Sequence, residues 1–302
     1  MLIRHYRTRE IAEDGDFVSG GNAGPRVVLS WSSGKDSAWA LHLLIQQQNV
    51  RVIALLTSFN AAADRVAMHA VRRALAEQQA QRTGLPLWQI PLPWPCSNAD
   101  YECLMRGMCE RAVSEGATHV AFGDLFLEDI REYREKQLHG SGLTPLFPLW
   151  GLPTRLLAEQ MIACGVRAKV TCVDPKKLDQ CFAGREFDLK FLADLPTGVD
   201  SCGENGEFHT FVYDAPVFNS PIPVKSGEIV TRDRFVFADV LPGEPEQSVE
   251  PGLCGTCQNA RIVRSARGSV FHRCLLADKD GHFAKYPQLP VLRCVGWEPV
   301  AT

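Results

Sequence analysis

The segment Ser30-Trp31-Ser32-Ser33-Gly34-Lys35-Asp36-Ser37 most constrains what this 302-residue chain can fold into. It follows the apolar, largely β-branched run Val27-Val28-Leu29 and precedes residues 38–48, which read as a helix. The order predicts a strand, a tight turn of small residues and a helix N-terminus. Such a turn offers unpaired backbone N–H groups and the positive end of a helix dipole to an anion, phosphate above all. Lys35 adds a mobile positive charge beside it. A Walker A loop is excluded, because Leu29 stands where its first glycine is required. The plain alternative is a Ser/Gly-rich surface turn.

Downstream, short apolar runs at residues 52–57, 87–92, 119–123 and 168–173 alternate with helical periodicity. The clearest helix is predicted over 66–82, with Val66, Ala70, Val71, Ala74, Leu75 and Gln78 on its apolar face. The alternation predicts an α/β fold with a parallel sheet and crossover helices. Ligands of such sheets sit at the carboxyl ends of strands, where Ser30 to Ser37 and Gly123-Asp124 both fall. Residues 140–155 read as a loop, 154–164 as a helix stopped by Gly165, and 195–206 as a second loop. Strands are expected at 208–213 and 229–241. Residues 1–25 read as a disordered leader without the apolar segment of a signal peptide, 241–251 as a Pro/Glu linker, and 252–302 as a separate module.

The loop resembles the pyrophosphate-binding loop, Ser-x-Gly-Gly-x-Asp-Ser, of the PP-loop ATP pyrophosphatase or adenosine-nucleotide α-hydrolase superfamily. It departs once, with Ser33 where that superfamily usually has Gly, and serine resists positive φ. Four further segments narrow the resemblance. They are Arg65-Val66-Ala67-Met68-His69-Ala70-Val71-Arg72; Phe122-Gly123-Asp124-Leu125 with Arg131-Glu132-Tyr133-Arg134-Glu135; Pro145-Leu146-Phe147-Pro148-Leu149-Trp150; and Cys202-Gly203-Glu204-Asn205-Gly206-Glu207-Phe208-His209-Thr210. In this order they resemble the diphthine–ammonia ligase family, in its bacterial-type branch, over about residues 26–240.

The resemblance implies a HUP-like (Rossmann-like) parallel sheet over about 26–150 and a smaller α+β substrate subdomain over about 151–240. It implies an ATP-dependent amide ligase. A substrate carboxylate attacks the α-phosphorus, giving an acyl-adenylate and pyrophosphate, and ammonia or an amine then displaces AMP. The family's acceptor is diphthine, a modified histidine of elongation factor 2; the acceptor here is a carboxylate on a small molecule or a protein. Two other readings stand beside it: a tRNA-modifying PP-loop enzyme, and a non-catalytic adenosine-nucleotide sensor.

Within this reading Ser30, Ser32, Ser33, Gly34, Ser37 and the loop amides cradle the leaving pyrophosphate, and Lys35 neutralises charge there. Asp36 is either a Mg²⁺ ligand or a carboxylate stabilised by the helix dipole. Asp124, beside Gly123, is either near ribose or metal, or a helix N-cap. Arg131 and Glu135 are either a solvated i,i+4 pair or, with Arg134, a grip on an anionic substrate. Glu204 and Glu207 are either catalytic acids that bind Mg²⁺ or orient the amine, or parts of a charged turn. His69 and His209 are candidate substrate contacts.

The tail carries Cys254 and Cys257 in a CxxC pair, then Cys274 and Cys294 singly. Four thiolates in about forty residues predict structural Zn²⁺, with an iron–sulfur cluster or unligated thiols as alternatives. The tail also holds seven Lys/Arg against three Asp/Glu in a chain of net charge −3. That pattern suits nucleic acid, an acidic partner or simply a solvated face. Eleven cysteines without an export signal predict reduced thiols in the cytoplasm, and no run of 18 apolar residues predicts a membrane span.

Overall fold

The computed structural model describes residues 24–66, 70–244, 250–264 and 270–300. In chain order its elements are β1 (Arg26–Ser30), α1 (Lys35–Gln46), β2 (Arg51–Asn60), β3 (Arg65–Val66), α2 (Arg73–Thr83), β4 (Leu87–Leu92), α3 (Asn98–Ser114), β5 (His119–Ala121), α4 (Glu128–Leu138) and β6 (Thr144–Leu146). There follow α5 (Thr154–Ala163), β7 (Arg167–Val173), α6 (Leu189–Asp194), β8 (Phe208–Asp214), β9 (Val224–Arg232), β10 (Phe235–Pro242), β11 (Ala260–Arg264) and β12 (Val270–Cys274).

β1 is the centre of a six-stranded sheet and pairs in parallel with β2 and β5. Its uninterrupted apolar run follows from burial on both faces. Val27 and Leu29 pack with Leu41 of α1 and Leu75 of α2, whereas Val28 packs with Met108 and Ala112 of α3 on the opposite face. β4 extends the sheet beyond β2, β6 extends it beyond β5, and β3 runs antiparallel to the end of β2. The capping box of Ser97 and Asp100 starts α3, which none of the apolar periodicities announced.

The second layer is a four-stranded sheet of order β8-β7-β10-β9. Here three expectations are corrected. β7 is apolar like a parallel-sheet strand, but its neighbours β8 and β10 are both antiparallel. The strand expected over 229–241 is a hairpin, because Asp233 and Arg234 take φ of 49° and 69° and turn the chain. The helix expected from Val66 begins only at Arg73. Ala70 takes φ of 53°, and Val66 N donates to Val71 O, so the described residues just before Arg73 are not helical. That shift moves the buried face of α2 by one residue, to Leu75, Ala76, Gln79 and Ala80. The stretch expected as a loop over 140–155 is one as far as Pro153, except for β6, and α5 takes its last two residues. Residues 1–23 and 245–249 lie outside the described residues, and with them most of the expected leader and part of the linker.

Candidate active site

The carboxyl ends of β1 and β5 and the start of β8 meet at a cavity of about 200 Å³. Ser30, Ser32, Asp36 and Ser37 line it from the first loop, and Gly123, Asp124 and Arg134 from the β5–α4 side. Glu204, His209 and Thr210 line it from the second layer. The chain passes close at Gly123: a Cβ there would lie 3.1 Å from Asp36 C and Ser37 N, in the first turn of α1.

Ser33 adopts φ of 72°, so the loop reaches the left-handed conformation with a serine in the place of glycine. For an L-residue that conformation costs about 1–2 kcal/mol. Its carbonyl accepts hydrogen bonds from Val212 N at 3.0 Å and Gln79 Nε2 at 3.0 Å. On the cavity side Ser32 Oγ accepts from Gly34 N at 3.3 Å, and Thr210 Oγ1 accepts from Lys35 N at 3.1 Å. Both N–H groups stand at the α1 N-terminus, where the dipole favours an anion; one bound there would take their donation in place of Ser32 Oγ and Thr210 Oγ1.

Lys35 corrects the expectation of a mobile charge. It is 1% exposed and does not line the cavity. Its Nζ donates to Asp36 Oδ2 at 2.8 Å and to the carbonyl of Cys202, between the rings of Phe187 and Phe208. Burial opposes the ammonium, but the Asp36 carboxylate, with smaller contributions from Cys202 and Glu204, raises its pKa overall. Lys35 therefore ties the first loop to the second layer as a buried cation.

The loop before β8 is organised by two acids that do different work. Asp200 Oδ2 accepts from Cys202 N and Glu204 N, each at 3.0 Å. Glu207, 3% exposed, accepts from Asp200 N and Asn205 Nδ2 at 3.1 Å and faces away from the cavity. Glu204 is the acid that reaches the cavity, and it accepts from Leu125 N at 2.7 Å. Gly203, at φ of 73°, has Phe208 O only 2.7 Å from where a Cβ would be. Gly203→Ala is therefore expected to destabilise the protein by about 3 kcal/mol, read by urea unfolding; unchanged stability would contradict this close approach.

Burial pushes the Glu204 carboxyl up to about 7, against the Leu125 bond and helped by Asp36 and Asp124. Burial, with the charge of Lys35, lowers His209 to about 4, so its imidazole is neutral near pH 7. Burial also raises Asp124, against its partner Arg134 at 3.5 Å. Arg134 and the helix N-terminus are thus the cavity's attractions for an anion, set against three carboxyls. A bare polyphosphate would be repelled by those carboxyls, whereas one carrying a divalent cation would not. Asp36 Oδ1 is buried and has no hydrogen-bond partner among the described residues, as suits a cation ligand.

Other expected site residues fall elsewhere. Arg131 pairs with Glu135 at 2.8 Å and lies over the rings of Phe147 and Trp150; neither residue lines the cavity. Ser33 and Gly34 shape the loop from behind rather than lining it. His69 lies outside the described residues. Asp200 and Gln79 were not anticipated. Asp200 carries the signal of an acid preceding a Gly-rich turn, and Gln79 that of a polar residue three and four places after Ala76 and Leu75.

In the tail, the charges of Cys257, Cys274 and Cys294 all act on Cys254, whose pKa is raised first by burial and then by them. All eleven cysteines are free. Among the described residues, no three Cys, His, Asp or Glu side chains form a group that could hold a metal ion, and the expected four-thiolate site is not seen. Of the tail arginines, Arg261 donates to two backbone carbonyls and Arg273 pairs with Asp278 at 2.7 Å. No helix among the described residues is long and apolar enough to cross a membrane.

Comparison with known proteins follows the same division. Residues 25–145 match the diphthamide synthase N-terminal domain, and residues 153–240 match the diphthamide synthase C-terminal domain. The diphthine–ammonia ligase of Bos taurus is 36% identical over 103 residues, 32% of this chain and 39% of that protein. That of Homo sapiens is 35% identical over 103 residues, with the same shares. The chain thus aligns with about two fifths of the length of these two relatives. The diphthine–ammonia ligase of Danio rerio is 26% identical over 244 residues, 71% of this chain and 92% of that protein. Both walls of the cavity lie within the two matched domains, and the chain belongs to the diphthine–ammonia ligase family.

Proposed function

We propose that the protein is an ATP-dependent ligase that joins ammonia to a carboxylate and releases AMP and pyrophosphate. The observation that carries this reading is that the phosphate-type loop and Glu204 share one cavity. The amides and hydroxyls at the α1 N-terminus hold the leaving pyrophosphate. Asp36, whose Oδ1 is buried without a hydrogen-bond partner among the described residues, would hold Mg²⁺ entering with ATP, which would screen the phosphates. Arg134 orients the acceptor carboxylate toward the α-phosphorus. Ammonium must lose a proton before it attacks, and Glu204, with a carboxyl near 7, takes it. Diphthine fits as an acceptor of this class. In this scheme Glu207 and Lys35 position the catalytic loops. The positive φ of Ser33 favours the ligase over a nucleotide sensor, because serine adopts the turn that glycine makes elsewhere.

The test is an acceptor peptide bearing a diphthine carboxylate labelled with heavy oxygen. One labelled oxygen should appear in AMP for each amide formed. Amide without label in AMP would contradict adenylation of the carboxylate.

For the tail we propose a structural Zn²⁺ held by Cys254, Cys257, Cys274 and Cys294, with the thiols converging as the metal binds. The support is that these cysteines are electrostatic neighbours and that no described tail residue is buried, so an apolar core is lacking. The metal would supply structure and no chemistry. Cys257→Ser should reduce the metal content measured by mass spectrometry and make the tail protease-sensitive. Undiminished metal in that variant would contradict the site.

A further inference from the structure

Gln79 lies on α2 behind the first loop, is completely buried and does not touch the cavity. Its Oε1 accepts from Trp31 Nε1 at 2.8 Å, and its Nε2 donates to Ser33 O at 3.0 Å and Val212 O at 2.6 Å. The amide cannot be reversed. An indole N–H only donates and backbone carbonyls only accept, so the oxygen must face Trp31 and the nitrogen must face Ser33. Trp31 and Ser33 flank Ser32, so one side chain grips the loop at two points.

The left-handed Ser33 needs such a grip. Its own Oγ is buried and has no hydrogen-bond partner among the described residues, so the side chain does nothing to favour φ of 72°. The clamp acts on the carbonyl, which Gln79 and Val212 N hold together. The Ser33 carbonyl and the Gly34 N–H belong to one planar trans peptide and point in opposite directions, so fixing the carbonyl also fixes that N–H, which donates to Ser32 Oγ of the cavity lining.

We infer that Gln79 is a positioning residue that holds Ser33 left-handed and thereby keeps the phosphate-binding amides of the loop presented to ATP. The inference rests on the reading of this loop as an ATP site. It explains how a serine serves where glycine would reach the same conformation unaided.

The test uses full-length Gln79→Met, which keeps the length of the side chain without its hydrogen bonds, alone and combined with Ser33→Gly. Magnesium-ATP affinity, measured by calorimetry, should weaken about tenfold in Gln79→Met. It should return to within about threefold of wild type in the double variant, because glycine takes positive φ freely. A role in packing alone would not be rescued by Ser33→Gly, since the bonds to Trp31 and Val212 stay lost. A crystal structure of Gln79→Met should show Ser33 with negative φ. Retained positive φ, or a double variant no better than the single one, would overturn the inference. If wild type itself does not bind ATP, the ligase reading fails, and the φ of Ser33 still decides the role of Gln79. Should Gln79→Met not fold, Trp31→Phe removes the donor that orients the amide. It should give a smaller loss of affinity, also rescued by Ser33→Gly; no loss would count against the clamp.

Discussion

Replacing Lys35 with Met should cost about 2–3 kcal/mol of stability, because it leaves the partly buried Asp36 carboxylate without its cation, at less than the full cost of a wholly buried pair. The lost ion pair is only part of the effect. The Cys202 carbonyl and the faces of Phe187 and Phe208 lose the charge they surround. Urea unfolding measures the loss directly. Lys35→Met combined with Asp36→Asn should recover much of it, since neither charge then remains unpaired. A single variant within about 1 kcal/mol of wild type would contradict the buried pair and restore the picture of a surface lysine reaching for phosphate. Loss of activity in Lys35→Ala alone is therefore no proof of a catalytic lysine.

Glu204→Gln should lower the rate of AMP formation by about 10²–10³-fold and abolish the rising limb of the pH profile near 7. An unchanged profile would mean that another group takes the proton. Stability carries a second signature. Between about 4.5 and 7 the native Glu204 holds a proton that the unfolded chain has released, so its contribution falls as pH rises. His209 works in the opposite sense. Between about 4 and 6.5 the unfolded histidine binds a proton that the native one excludes, so its contribution is lost on acidification. The two slopes oppose one another where the windows overlap. Glu204→Gln should become less stable, relative to wild type, as pH falls from 6.5. His209→Gln should do the reverse. Parallel stability curves for all three proteins would show that neither group is perturbed by its site.

The first strand, loop and helix could be read from the sequence because their signals are local: a β-branched run, a turn of small residues and a helix start are contiguous. Glu204 could be read as a candidate because glycines flank it on a loop. Separating it from Glu207 could not be done, since what turns Glu207 inward is Asp200 N seven residues earlier in a folded loop. Lys35 misled for the same reason: its direction is set by Cys202, Phe187 and Phe208, all distant in sequence. Gln79 was hidden by a one-residue error of phase, which followed from starting α2 at Val66 instead of Arg73. The direction of β7's neighbours is not legible in the sequence, because a doubly buried strand has the same composition whether they are parallel or antiparallel.

The most direct measurement of the central claim follows the α-phosphate. ATP labelled there would be incubated with the protein, Mg²⁺, ammonium and a cell extract separated into small-molecule, protein and RNA fractions. Labelled AMP that requires both ammonium and a carboxylate-bearing fraction is the predicted result. Labelled ADP, AMP formed only with RNA, or bound ATP that no fraction converts would contradict the amide-ligase account.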